Sequence, residues 1–197
     1  MRVQSVDPNS SPGAVSPRLS RPETLNFADV DAVSLAIFTD KQLHRKVRTL
    51  EKLDLTEVRA IIEKAIGRYR SDVPRPSAQH IHNKVMAGFS GEALIISSAL
   101  LLDTLRDTER FFHISFKTIK SKLGQSLEPA SSELALRMTR ATLSAAKVFG
   151  NLEAGRNYLR TKNFALGGAA PIDLLQTAEG ERIVLNELQT QADGGPL

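Results

Sequence analysis

Apolar residues recur at helical spacing along most of the chain, and no stretch alternates convincingly with the period of a β-strand. Two amphipathic helices are predicted between residues 40 and 70, with Thr56 as the N-cap of the second. Their apolar stripes are Leu43, Val47 and Leu50, then Val58, Ile61, Ile62, Ala65, Ile66 and Tyr69. The proline-containing stretch "SDVPRPSAQ" then predicts a linker.

Three helices are predicted at 91–103, 104–112 and 116–123. A short break separates the last two, and Ser115 is placed to cap the third, which is the spacing of a helix–turn–helix. Phe116, Ile119 and Leu123 fall on the side of this helix expected to anchor it to a core.

The C-terminal part is also predicted to be helical. A long helix begins in "EPASSEL" and runs to Phe149, with Gly150 as its stop. Asn151 is the expected cap of a short helix through Leu159, and Pro171 suits the first turn of the next. Thr177 is the expected cap of a last helix ending near Leu188. The predicted fold class is all-α.

The composition is typical of a soluble globular protein and fits the reducing cytoplasm. The chain has 41% hydrophobic residues and no cysteine, which excludes disulfides and thiolate metal sites. Its longest apolar run, near "EALIISSALLLD", is about ten residues, whereas a membrane span needs roughly 20. The N-terminus lacks the apolar core of a signal peptide. We therefore expect no membrane association and a cytoplasmic location.

The expected organisation has four regions. Residues 1–24, rich in Ser, Pro and Arg, are interpreted as a disordered tail. Residues 25–80 form a helical extension and linker, and 81–124 the helix–turn–helix region. Residues 125–197 form a separate small domain with a C-terminal tail.

Charge places any polyanion site upstream of residue 125. The net charge is +4, but residues 125–197 contain seven basic and eight acidic side chains. Lys117 and Lys120 share one face of their predicted helix. The candidate DNA-binding residues are Ser115, Lys117, Thr118, Lys120, Ser121 and Lys122. The alternative is a solvated basic face, and lysines favour phosphate contact over base reading.

The sequence offers no catalytic constellation. His80 and His82 in "QHIHN" lack a third ligand nearby, and "FALGG" lacks the strand–helix setting of a phosphate loop. We therefore predict no metal, no cofactor and no enzymatic activity. The stretch 159–180 instead combines turn residues and apolar anchors, a pattern that favours a shaped surface for binding another protein.

The run "AAKVFGNLEAGRNYLRTKNFALGGAAPIDLLQTAEGERIV" resembles the toxin-binding domain of the Xre/MbcA/ParS antitoxins. It departs from that pattern at Tyr158, where the family usually has Trp, and at Phe164. Upstream, "ISFKTIKSKLGQSLEPASSELALRM" is similar to the degenerate Xre-type helix–turn–helix of the same family. The resemblance covers about 85–193 and implies an Xre-like helix–turn–helix bundle followed by a small helical toxin-binding domain.

The resemblance implies an antitoxin of a type II toxin–antitoxin system. Its partner would be a RES-domain toxin that consumes NAD or transfers ADP-ribose, and it would bind the operator DNA of its own operon. The alternative is a stand-alone helix–turn–helix transcriptional regulator whose C-terminal domain only oligomerises. The expected toxin-binding residues are Tyr158, Asn163, Leu166, Gly167, Gly168, Thr177, Gly194, Gly195, Pro196 and Leu197.

Three further expectations concern the C-terminal tail, assembly and truncation. The four tail residues would form a finger that enters the toxin's cleft, although a frayed end is equally expected. The apolar "ALIISSALLL" with Phe111 and Phe112 predicts surface that only a homodimer or larger oligomer would bury. Residues 125–197 alone are expected to bind the toxin.

Overall fold

The chain is all-helical, as predicted. A computed structural model describes residues 29–69 and 74–194, and within these ranges it contains eleven α-helices and no β-strand. The helices are α1 (Val30–Thr39), α2 (Lys41–Arg48), α3 (Leu55–Ile66), α4 (Ala78–Ala87), α5 (Glu92–Leu101), α6 (Leu105–Phe112), α7 (Phe116–Lys122), α8 (Pro129–Phe149), α9 (Leu152–Arg160), α10 (Pro171–Leu174) and α11 (Ala178–Ala192).

α5 and α8 form the centre of the fold. All ten residues of α5 are buried, because α3 and α8 pack against it and α2, α6, α7 and α9 make smaller contacts. α8 in turn contacts α1, α4, α9 and α11. One cluster of apolar side chains therefore runs from Val33 to Leu188 and includes the N-terminal helices.

The short break between α6 and α7 and most helix caps are where the sequence placed them. Ser115, Asn151 and Thr177 accept backbone hydrogen bonds at the starts of α7, α9 and α11. Gly150 ends α8 in the left-handed conformation that glycine adopts without strain. Pro171 occupies the first turn of α10.

Four details of the prediction were wrong. Asp54, not Thr56, caps α3, because its carboxylate accepts from both Thr56 N and Glu57 N. α1 was missed, since its run of buried residues shows no helical periodicity, and α4 was missed beside the prolines of the expected linker. α11 continues four residues past Leu188, to Ala192.

The apolar surface invoked for oligomerisation does not exist. Ala93 to Leu101 are buried inside a single chain, and Phe111 and Phe112 are only 8% and 7% exposed. The N-terminal helices supply the burial that a shorter domain would lack. Any dimer must therefore use another surface.

Parts of the predicted organisation lie outside the described residues. These are the 1–24 tail, residues 70–73 of the linker, and Gly195, Pro196 and Leu197. Among the helices that are described, none is long and apolar enough to cross a membrane.

Candidate interaction sites

The connection between α9 and α10, residues 161–170, is a closed turn organised around Asn163. The Asn163 carbonyl accepts hydrogen bonds from Leu166 N (3.1 Å) and Gly168 N (3.0 Å), and its amide donates to Ala169 O (3.0 Å). Its side-chain Oδ1 accepts from Ala165 N at 2.9 Å. Because each of these hydrogen bonds joins two residues within 163–169, the turn holds its own shape.

Gly167 and Gly168 make this turn possible. Their φ angles are 67° and 82°, in the left-handed region that side chains with a Cβ rarely adopt. A Cβ at either position would meet no other atom within 4 Å. These glycines are therefore required for backbone conformation and leave an open surface.

Phe164 projects from this turn into solvent. It begins the 3₁₀ turn Phe164–Leu166, and 96% of its surface is exposed. Isolated exposed apolar residues are common, but aromatic side chains are enriched at the centres of protein interfaces. In the sequence, Phe164 stood out only as a departure from the pattern of the antitoxin family that the chain resembles. No sequence signal marked it as exposed, because Ala165 and Leu166 beside it are apolar as well.

Tyr158 supports the turn from below. Its ring packs against Phe149 with centroids 4.7 Å apart, and its hydroxyl accepts a hydrogen bond from Asn163 Nδ2 at 3.2 Å. Burial raises the pKa of Tyr158, so its hydroxyl stays neutral. Tyr158 therefore supports the shape of the turn, with the half-buried Leu166 beside Gly167.

Two glycines allow α9 and α11 to pack closely against the neighbouring backbone: Gly155 against α8 and Gly180 against α10. A Cβ on Gly155 would lie 2.5 Å from Ala146 N of α8, and one on Gly180 would collide with the carbonyl oxygen of Leu174. Thr177 acts as a helix cap, with its Oγ1 accepting from Gly180 N at 3.0 Å. The structure thus assigns Thr177 a role in positioning α11.

Two arginines, in the middle and at the end of α9, tie this helix to the segment after α5. Asp103 lies 2.5 Å from both Arg156 Nη2 and Arg160 Nη2, and Arg156 is almost completely buried. Partial burial alone would raise the pKa of Asp103, but the hydrogen bond from Arg156 and the charge of Arg160 outweigh it and hold its pKa low. The carboxylate is therefore ionised and anchors α9.

The basic helix α7 presents Lys117 and Lys120 to solvent. Ser115, Thr118 and Ser121 are engaged locally: Ser115 Oγ accepts from Thr118 N (3.2 Å), and Ser121 Oγ donates to Thr118 O (2.8 Å). Lys122 is partly covered and lies 3.5 Å from Glu128. Of the six candidate DNA-binding residues, Lys117 and Lys120 are thus the best placed for phosphate contact.

The two predicted sites are formed by different elements, and one hydrogen bond joins segments that flank them. The side chain of Gln176, after α10, donates to Phe111 O at the end of α6 (3.1 Å). Asn163, Leu166, Gly167 and Gly168 lie together on the turn, whereas Gly194 follows α11 and is exposed.

The histidines offer no metal site. His80 and His82 are both exposed on α4. Within 29–69 and 74–194, no group of three or more His, Cys, Asp or Glu side chains is arranged to hold a metal ion.

Comparison with known protein families finds a match in the C-terminal part of the chain. The model of the antitoxin Xre/MbcA/ParS C-terminal toxin-binding domain matches residues 144–194. The match begins near the end of α8 and includes α9, the turn of residues 161–170 (the Phe164 turn), α10 and α11. No curated protein matches the chain.

Proposed function

We propose that this protein is an antitoxin of a type II toxin–antitoxin system. The family match over 144–194 supports a toxin-binding role, and the sequence resemblance implies a RES-domain toxin that consumes NAD or transfers ADP-ribose. On this proposal the antitoxin needs no catalytic group, because it acts by covering the active site of its partner.

The observation that carries the proposal is the rigid turn with an exposed aromatic ring. A turn that keeps its shape through its own hydrogen bonds loses little conformational entropy on binding. Phe164, 96% exposed, would bury its ring in a pocket of the toxin, while Gly167 and Gly168 allow the toxin backbone to approach closely. The Phe164 turn is therefore the proposed centre of the toxin interface.

The first test is Phe164→Ala in the full chain. An aromatic interface anchor contributes about 2 kcal/mol or more, so affinity for a RES-domain toxin partner, to be sought in the adjacent gene, should fall by about 30-fold. Calorimetric titration measures that loss, and rescue of growth during toxin expression reports its consequence.

Met86→Ala is the matched control, since Met86 is 57% exposed on α4, outside the matched region. Equal toxin affinity of the Phe164 variant and wild type would remove the turn from the interface.

The tail beyond α11 is a separate part of the proposal. α11 extends to Ala192, four residues beyond its predicted end, so fewer residues follow the helix than the sequence predicted. Deleting 194–197 should leave the complex intact and restore toxin activity within it. Complete inhibition without these residues would assign occlusion to the turn and its helices.

DNA binding by α7 would let the protein regulate its own operon, with a homodimer or larger assembly on the operator. The alternative, a regulator whose C-terminal domain only oligomerises, makes the opposite prediction about toxicity. A chain that binds DNA but neither binds the adjacent toxin nor rescues growth would establish that alternative.

A further inference from the structure

The strongest concentration of positive charge lies in the N-terminal extension, which has no role in the function proposed so far. Residues 41–52, α2 and the turn after it, contain five basic residues and one acidic residue, a net charge of +4. Residues 117–122 of α7 add three lysines and no acid. Since the whole chain carries +4, all other residues together carry −3. The positive charge is thus held by two short segments.

α2 exposes this charge along one edge. Leu43, His44 and Val47 are buried and fix the helix against the core. Lys41, Arg45 and Arg48 follow at i, i+4 and i+7, a spacing that aligns them on the same side of a helix. All three are exposed, so the edge is available to a polyanion.

A buried carboxylate joins this edge to α7. Glu92 is fully buried at the start of α5, and its Oε1 accepts from Arg48 Nε at 2.6 Å and from Gly124 N at 3.0 Å. Gly124 lies two residues after α7, and Arg48 packs against it: a Cβ built on Gly124 would lie 3.2 Å from the Arg48 guanidinium carbon. One oxygen atom therefore holds the end of α2 beside the end of α7.

We propose that α2 and α7 form one continuous surface for duplex DNA, with Lys41 and Arg45 contacting phosphates beside those bound by Lys117 and Lys120. The proposal rests on the proposed DNA binding by α7 and extends it to the N-terminal extension. Neither segment has a fully exposed aromatic ring on which unpaired bases could stack. The surface therefore fits the phosphates of a double helix rather than a single strand.

The test compares three double variants of the full chain, each losing two positive charges. They are Lys41→Gln with Arg45→Gln, Lys117→Gln with Lys120→Gln, and the control Lys84→Gln with Lys162→Gln, two exposed lysines on α4 and in the turn after α9. Arg48 is kept because it holds Glu92. The probe is a fluorescein-labelled mixed-sequence DNA duplex, and fluorescence anisotropy gives its dissociation constant across a salt series.

Each lost phosphate contact should make the negative slope of log affinity against log salt concentration less steep by about 0.9. We expect the α2 pair and the α7 pair each to lose about two phosphate contacts, which reduces the steepness of the slope by about 1.8. The control should leave the slope unchanged. An α2 pair that behaves like the control, while the α7 pair loses slope, would overturn this inference and leave DNA binding by α7 in place.

No binding of wild type to the duplex would overturn DNA binding altogether. Tighter binding to a single-stranded RNA of the same length would reassign the surface to another partner. Thermal unfolding of each variant checks that the exposed substitutions leave the fold intact.

Discussion

Glu92 links the N-terminal extension, the central helix α5 and the basic helix α7 through hydrogen bonds to its carboxylate. Burial alone would raise the pKa of this carboxyl group, but hydrogen bonds from Ser90 and Arg48 outweigh burial, so its pKa lies below its ordinary value. A carboxylate that is fully buried yet ionised stabilises the fold only while its donors remain in place.

Glu92→Gln should therefore destabilise the protein by about 2 kcal/mol, the value of a hydrogen bond to a charged group. Because the folded pKa is lowered, the contribution of Glu92 is complete above the ordinary glutamate pKa and is lost as pH falls through the folded value. The stability difference from wild type should shrink over that acidic range in urea titrations. Glu63→Gln, at an exposed position of α3, is the control, and an equal effect of both would contradict the assignment.

At the candidate site, the sequence was informative about backbone and uninformative about exposure. Asn163, Gly167 and Gly168 were recognisable because their residue types fit a tight turn, and the structure shows that turn. Phe164 could not be recognised as an anchor, since apolar residues are usually buried and one sequence does not show which face of a turn meets solvent.

The helices themselves were predictable where a cap and an apolar stripe coincide, as in α7, α9 and α11. α5 was predicted as a buried helix because its residues are apolar with two serines between. α1 and α4 could not be predicted, because α1 is buried on most sides and α4 has no buried residue; each lacks the contrast between faces on which periodicity depends.

Close packing of α9 on α8 yields a second prediction, Gly155→Ala. The added Cβ would lie 2.5 Å from Ala146 N, so α9 must move, and overpacking of this kind costs about 2 kcal/mol. The melting temperature should fall by about 4–8 °C. Because α9 leads into the Phe164 turn, affinity for the toxin should weaken as well.

Gly67→Ala is the matched control for Gly155. Gly67 ends α3 with ordinary helical angles, and its nearest atom to a new Cβ is 3.7 Å away, so stability should stay the same or rise slightly. A melting temperature unchanged by Gly155→Ala would show that the two helices are less tightly seated than described.

At the scale of the whole molecule, the sequence suggested separable regions, whereas the packing is continuous. Arg140 of α8 lies 2.5 Å from Asp31 of α1 and 3.7 Å from Glu181 of α11, so it links the N-terminal extension to the last helix. Arg59 of α3 likewise donates to the carbonyl oxygens of Ala99 and Leu102, at the end of α5. Such contacts between distant segments cannot be predicted from the periodicity of apolar residues along the chain.

This continuity changes the expectation for a chain that begins at Gln125. Eleven of the 21 residues of α8 are buried, and α5, one of its main partners, would be missing. The fragment would expose the apolar face of α8, so it should show no cooperative thermal transition and should aggregate. A chain beginning at Asp29 is the control and should melt cooperatively near the temperature of the full chain. A 125–197 fragment that unfolds cooperatively and still binds the toxin would demonstrate an independent toxin-binding domain, with the α1–α7 region needed only for DNA.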